Sequence, residues 1–232
     1  MKSPPFKSLP VLLALGIFSM AATAKAALIT TTTDLPPDGV YLSADIHQTY
    51  GGAALEILLS LPEHAPIAAQ AMRRNDGLGN EIENFNSVLN AMAEVRVNGL
   101  SQGILPISAF GPVETIVFGR TANPTTGSFN TEMLSMELSG VNPFDPAGPL
   151  FMVRESPTLQ SLGQTDITDI GGGLFRIDSF FDVHTELSID GGATWMPSTN
   201  GAGHVVLVPE PSSMGFLAAG LVCIVGFMRR RR

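Results

Sequence analysis

The sequence predicts an all-β fold, a single antiparallel β-sandwich of jelly-roll type occupying residues 41–207. Three observations point to it. Eight runs rich in Val, Ile, Leu, Phe and Thr recur along the chain: VYLSADI, ALEILLSL, AMAEVRVNG, ETIVFGRT, TEMLSMELSG, FMVRES, LFRIDSFFDVHTELSID and HVVLVP. Each is bounded by Gly, Pro, Asn or Asp. Val95-Arg96-Val97 and Leu134 to Leu138 alternate apolar with polar residues, as strands with one wet face do. Turn signals, GGG at 171–173 and NPTTG at 123–127, fall between the runs at the spacing of a sandwich.

One stretch departs from the strand pattern. PIAAQAMRR, 66–74, begins with proline and continues with helix formers, so it reads equally as one short helix or as a loop. The preceding TTTTDLPPDG, 30–39, is polar and turn-rich, which marks 27–40 as a leader into the domain rather than as structure. No repeat of fixed period is present, which argues against a propeller or solenoid.

The N-terminus sets the compartment. Lys2 and Lys7 precede the apolar run Val11 to Met20, and AATAKAA follows it. A basic region, a short apolar region and a small-residue cleavage site make a secretory signal peptide, 1–26, handled by the Sec machinery and a signal peptidase. Cleavage between Ala26 and Ala27 fits Ala24-Lys25-Ala26, and Ala22-Thr23-Ala24 offers a second site two residues earlier. The apolar run is shorter than the ~20 residues a retained anchor needs.

With both ends set aside, residues 27–208 hold six arginines, no lysine and 20 carboxylates, a formal charge of −14. Such a field repels nucleic acid and anionic lipid. No clustered D-x-D-x-D loop is present to build a calcium site, so no cofactor or metal is expected. The single cysteine, Cys223, lies outside the domain, which therefore has no internal disulfide and depends on its core.

Candidate chemistry is sparse. His47, His64, His184 and His204 stand far apart, with no H-x-x-x-H or H-E-x-x-H spacing. Asp182 and His184 share a strand face by the period of two, and with Ser188 could form a triad, but no G-x-S-x-G elbow accompanies them. Three carboxylate pairs, Glu81 with Glu83, Asp166 with Asp169 and Asp178 with Asp182, could flank a glycosidic bond if a cleft brought them together. Sugar-stacking aromatics besides phenylalanine are limited to Trp195, Tyr41 and Tyr50. No catalytic residue is assigned.

SIDGGATW, Ser188 to Trp195, resembles the Asp-box of sialidases and other propellers, a structural hairpin away from the catalytic site. Physically, Asp190 can accept backbone N–H bonds, Gly191 and Gly192 can take positive φ, and Thr194 with Trp195 starts the returning strand. Ser188, Asp190, Gly192, Thr194 and Trp195 are accordingly expected to stabilise a hairpin. A propeller would repeat the box, and here it occurs once.

The last 25 residues, VPEPSSMGFLAAGLVCIVGFMRRRR, contain three parts in order: Pro209-Glu210-Pro211, the uncharged run Met214 to Met228, and Arg229, Arg230, Arg231 and Arg232. As a transmembrane helix the run spans ~22 Å against ~30 Å of hydrocarbon, with the arginine stems snorkelling at one end. Positive charge holds that end in the cytoplasm, so the domain before it faces outward. The proline pair keeps 209–211 extended, the form in which processing enzymes take a peptide. Residues 208–232 closely resemble the PEP-CTERM sorting signal of Gram-negative bacteria. The resemblance implies recognition by an exosortase, removal of the helix, delivery to the cell surface or extracellular matrix, and a link to exopolysaccharide and biofilm. Gly171 to Ser198 is also similar to a segment recurring in uncharacterised exported proteins with this signal, where an aromatic often replaces His184. That departure argues against a shared catalytic role for His184.

The expected protein is thus a non-enzymatic exported surface or matrix protein, a transient single-pass membrane protein before processing, whose partners include exosortase and exopolysaccharide or other envelope proteins. The alternative is a secreted carbohydrate-binding or glycoside-hydrolysing module.

Overall fold

A computed structural model describes residues 27–43, 47–121 and 125–209. They form fourteen strands: β1 (Leu28–Thr30), β2 (Val40–Ser43), β3 (His47–Gly52), β4 (Leu55–Pro66), β5 (Met72–Asn75), β6 (Glu81–Val97) and β7 (Leu100–Val117), then β8 (Gly127–Gly140), β9 (Phe151–Glu155), β10 (Ser161–Gly171), β11 (Leu174–Val183), β12 (Thr185–Ser188), β13 (Met196–Pro197) and β14 (Gly203–Val208). Every pairing is antiparallel. The signal peptide, with Ala26, and the tail from Glu210 lie outside the described residues. No helix among the described residues is long and apolar enough to cross a membrane.

The all-β class stands, but the sandwich does not: eight strands close into a barrel. The ring runs β2-β4-β6-β7-β8-β10-β11-β14 and returns to β2, where Leu207 faces Tyr41. Closure comes from β10, which pairs β11 from Leu162 to Gly171 and β8 from Ser161 to Ile167. A sandwich would leave edges at these positions. The sequence concealed the closure because β6 and β7 are 17 and 18 residues long, and the first half of β7 is broken by Gly103 and Pro106 and carries little strand signal.

The long strands also change partners midway. β4 pairs β3 as far as Ser60, bulges at Leu61-Pro62, and then pairs β2. β8 pairs β10 in its first half and β9 at Glu137–Gly140, and β12 and β13 follow β9. This second row of strands almost closes as well, through a Tyr50–Ser198 bridge and the Thr199 N–H bonded to the Thr49 carbonyl at 2.7 Å. The result is a two-storey barrel strung on β4, β6, β7 and β8.

One apolar core fills both storeys, because alternate residues point inward: Leu89, Ala91 and Ala93 from β6, Ile107, Ala109 and Val113 from β7, Ile177 and Phe181 from β11, Leu187 from β12. A tyrosine sits in each storey. Tyr41 donates to Ser179 at 3.1 Å, and Tyr50 bonds Gln48 at 2.9 Å and Thr185 at 2.7 Å. What space remains in the upper storey is a cavity of about 40 Å³ lined by apolar side chains and His64.

Two sequence expectations meet particular outcomes here. The 66–74 stretch is neither an α-helix nor a plain loop: Ala68–Gln70 makes a single 3₁₀ turn and Met72–Asn75 continues along β6 as β5. The leader is built into the domain, with β1 paired to β11 and Thr33, Leu35, Pro36 and Pro37 buried across the end of the barrel.

Strands β7 and β8 cross so closely that a Cβ on Gly111 would lie 2.0 Å from the Glu137 carbonyl oxygen, and one on Gly140 2.0 Å from that of Ser108. Gly111→Ala is expected to lower unfolding free energy by about 2 kcal/mol or more in urea titration. Gly52→Ala, where a Cβ meets open space, is the control with no such loss.

Candidate functional site

Strand direction sorts the loops into two ends. At one end lie the leader, the β5–β6 loop, the β7–β8 turn, the Gly171–Gly173 turn and the exit of β14. At the other lie residues 52–55, 97–100, 140–151 and the β12–β13 hairpin. Both chain termini belong to the first end, since β1 lies on β11 at Phe175–Ile177 and Val208 lies beside Val40. Pro209 is the last described residue, so Glu210, Pro211 and Arg229 to Arg232 fall outside the described residues.

That terminal end is locked by buried charge. Period-2 alternation on β6 turns Glu81 and Glu83 inward, and the β7–β8 turn sends Arg120 in after them with no exposed surface. Arg120 bonds Glu81 at 2.8 Å and donates to the Thr33 carbonyl, fixing the leader across the barrel mouth. Arg73 donates to the Leu35 carbonyl and stands 3.7 Å from Asp34. Glu83 accepts from Thr115 at 3.1 Å, while its Oε1 has no hydrogen-bond partner among the described residues. Burial first, and the neighbouring Glu81 second, push the Glu83 carboxyl up to about 8. At neutral pH Glu83 is therefore mostly protonated, and Glu81 is the charged partner of Arg120. Sequence reading found this carboxylate pair but assigned it to a cleft; the inward register places it in the core. Arg120 was missed because a single arginine in a turn carries no signal.

At the far end, the Ser188–Trp195 segment forms the β12–β13 hairpin loop. Ser188 donates to Asp190 at 2.7 Å and accepts the Gly192 N–H at 2.9 Å. Asp190 in turn accepts the Thr194 N–H at 2.9 Å and its hydroxyl at 2.6 Å. The Thr194 hydroxyl first, then the Thr194 backbone and Ser188, hold the Asp190 carboxyl down at about 2. Gly191 and Gly192 have φ of 71° and 88°. Trp195 is half-buried beneath the Arg154 guanidinium, 4.0 Å from its ring centroid, and Arg154 is bonded to Glu186 at 2.7 Å. Every polar group of the box is spent on the loop itself.

The other candidate groups are dispersed. Asp182 bonds His204 on β14 at 2.7 Å, not His184, whose backbone N–H is taken by Ser161 at 3.0 Å. Ser188 is committed to Asp190, so no triad forms. Asp166 faces Asp178 across β10 and β11 on the outer wall, while Asp169 caps Gly171 at 2.7 Å. Burial lowers His64 to about 4, leaving it neutral beside the core cavity. Tyr41 and Tyr50 are buried, so neither is available to stack on a sugar. No group of three or more metal-ligating side chains occurs among the described residues. A titratable group missed in sequence is Glu155, at the end of β9. It lines a surface groove of about 200 Å³ with Glu132 and the 156–160 loop. Burial, then the Glu132 and Glu186 charges, raise its carboxyl to about 7 against a bond from Ser161.

The family described as the PEP-CTERM protein-sorting motif matches residues 207–232. Among curated proteins and solved structures, none matches the chain. The chain thus carries a PEP-CTERM sorting segment and is an exported, exosortase-sorted protein of Gram-negative type, anchored in the membrane before it is sorted to the surface.

The buried acid makes stability depend on pH with a defined sign. Folded Glu83 keeps until about pH 8 a proton that the unfolded chain releases near 4.5. Its contribution is present below pH 4.5 and lost as pH rises to 8, with a slope approaching about 1.4 kcal/mol per pH unit. Urea titrations from pH 5 to 9 are expected to show that decline, and Glu83→Gln to flatten it.

Proposed function

We propose that this protein is a non-catalytic surface or matrix component: a water-exposed β-barrel exported through its signal peptide, held by its tail, and released by exosortase to contact exopolysaccharide or other envelope proteins. The observation that carries this reading is the gathering of both termini at one end of the barrel. A signal peptide before Ala27 and a membrane segment after Pro211 would both tether that end, leaving the opposite loops, including the Asp190 hairpin, facing away from the membrane.

The wall of the barrel supports placing it in water. Asn84, Asn86 and Asn90 of β6, Ser128 and Asn130 of β8, and Gln164, Asp166 and Thr168 of β10 alternate with the inward apolar set. Lipid-embedded barrels carry the opposite pattern, apolar outside and polar within. The filled interior leaves no ligand calyx, and the polar groups of the hairpin and barrel mouth are engaged with one another. A surface without a reactive constellation suits adhesion or scaffolding.

Intact-mass measurement on protein from its native host tests the sorting: a product lacking Cys223 and Arg232 is expected. Replacing Pro209, Glu210 and Pro211 together with alanine should leave the full-length chain in the membrane fraction. A native product that retains Arg232 overturns processing.

A carbohydrate-active reading is favoured by one observation, the pairing in one groove of Glu155, its carboxyl raised to about 7, with the unprotected neighbour Glu132. Such a division into acid and carboxylate is what glycoside hydrolysis requires. Under the surface-protein reading, hydrolysis assays on exported polysaccharide show no turnover. Turnover that peaks between the two carboxyl pKa values and is abolished by Glu155→Gln would establish the alternative.

A further inference from the structure

The terminal end of the barrel exposes apolar side chains that its loops hold outward. In the β5–β6 loop, Leu78 stands between Gly77 and Gly79, which have φ of 80° and 96°, and is 86% exposed. The loop is not slack. Asp76 accepts the Leu78 N–H at 2.7 Å, the Asn80 N–H at 3.0 Å and the Asn80 side-chain amide at 2.6 Å, and Asn80 accepts the Gly119 N–H at 3.0 Å. Phe118 precedes that glycine and is 39% exposed. The next tip repeats the device: Asp169 caps Gly171, the three glycines 171–173 take positive φ, and Ile170 and Leu174 flank them at 47% and 38% exposure. Ile29, on β1 at the same end, is 61% exposed. Backbone bonding and glycine geometry are used here to keep apolar side chains in solvent, an arrangement that folding alone does not favour.

The chain beyond the barrel says what covers them. The apolar run begins at Met214, six residues after Val208, a reach of no more than about 22 Å when fully extended. The barrel end is therefore confined next to whatever holds that run. We propose that the terminal loops of the barrel, through Leu78, Phe118, Ile170 and Leu174, seat on the lipid surface of the membrane while the tail is anchored, orienting the barrel upright with 209–211 at the interface. This rests on the tail spanning the membrane. The contact is apolar, in the manner of interfacial anchors, since Asp76 and Asp169 cap these same loops and the domain as a whole is acidic. It is accordingly independent of anionic lipid content and of salt.

The test uses the mature chain, residues 27–232, reconstituted in phosphatidylethanolamine/phosphatidylglycerol vesicles. An environment-sensitive fluorophore is attached at Leu78→Cys, Ile170→Cys or Leu100→Cys in a Cys223→Ser background, or at native Cys223. Leu100 is 71% exposed at the opposite end and serves as a control of equal character and different place. Brominated lipids are expected to quench the labels at 78, 170 and 223 and to leave 100 unaffected, with the same result at high salt and at reduced phosphatidylglycerol. Quenching at 223 with none at 78 and 170 overturns the seating and leaves the tail reading intact. Labels at 78 and 170 that are shielded in proportion to protein density, without lipid quenching, assign the patch to self-association and also overturn it. No quenching at 223 removes the membrane-spanning tail and the seating with it.

Discussion

Strand β10 pairs with β8 on one flank and with β11 on the other, and those two ladders turn a long antiparallel sheet into a ring. An open sheet of this size would present two edges of unmet backbone donors and acceptors, a template for pairing with other chains. Closure removes that hazard for a chain that must cross a membrane unfolded and then fold outside the cell without a disulfide. It also fixes the inside. Once eight strands close, the interior has a set diameter that side chains fill, and the period of two commits every alternate residue to it. The inward placement of Glu81 and Glu83, the burial of both tyrosines and the outward carboxylates of β10 and β11 all follow from closure and register together.

The same constraint explains why a charge cluster is tolerated within the core. Glu81 and Glu83 fall on the inward phase of β6 at its first turns into the barrel, where water would otherwise enter. Arg120 and the leader cover them, and protonation of Glu83 leaves one buried anion for one buried cation. A buried ion pair is weak evidence for stability, because desolvation offsets much of the attraction. Its effect here is positional: Arg120 selects the Thr33 carbonyl and so holds a segment without strand pairing of its own against the barrel mouth. The first residues after the signal peptide are thereby joined to the same end as the last residues before the tail.

The all-β class, the strand character of all eight runs, the turn at 171–173 and the sorting tail were legible because each is written in local sequence. Closure was not. Strands β3 (HQTYGG) and β10 (SLGQTDITDIG) carry few β-branched apolar residues, yet β10 is the strand that closes the ring. Their stability comes from neighbours on both sides, a tertiary effect that propensity does not contain. The box at 188–195 was visible because its hydrogen bonds run between residues two and four apart. The Glu81–Arg120 contact spans 39 residues and the Asp182–His204 contact 22, and no periodicity announces either. His184 was paired with Asp182 by the period of two, but β11 ends at Val183, and the break turns His184 out of that register.

Placing both termini at one end of a closed barrel has a consequence for how a sorting enzyme meets its substrate. Val208 is still in the β2–β14 ladder, so the chain becomes free for an enzyme only from Pro209 onward. Pro209 and Pro211 supply no backbone N–H, and so the ladder cannot extend into the motif even though β2 is preceded by Gly39 and a buried leader. The proline pair therefore has two effects: it keeps the peptide extended, and it sets a hard boundary between folded domain and sorting segment. A barrel that ended in an ordinary strand former at 209 could add another rung and draw the motif into the fold. With the boundary fixed at that residue, the barrel can complete folding while the tail is still in the membrane, and release leaves its hydrogen bonding untouched.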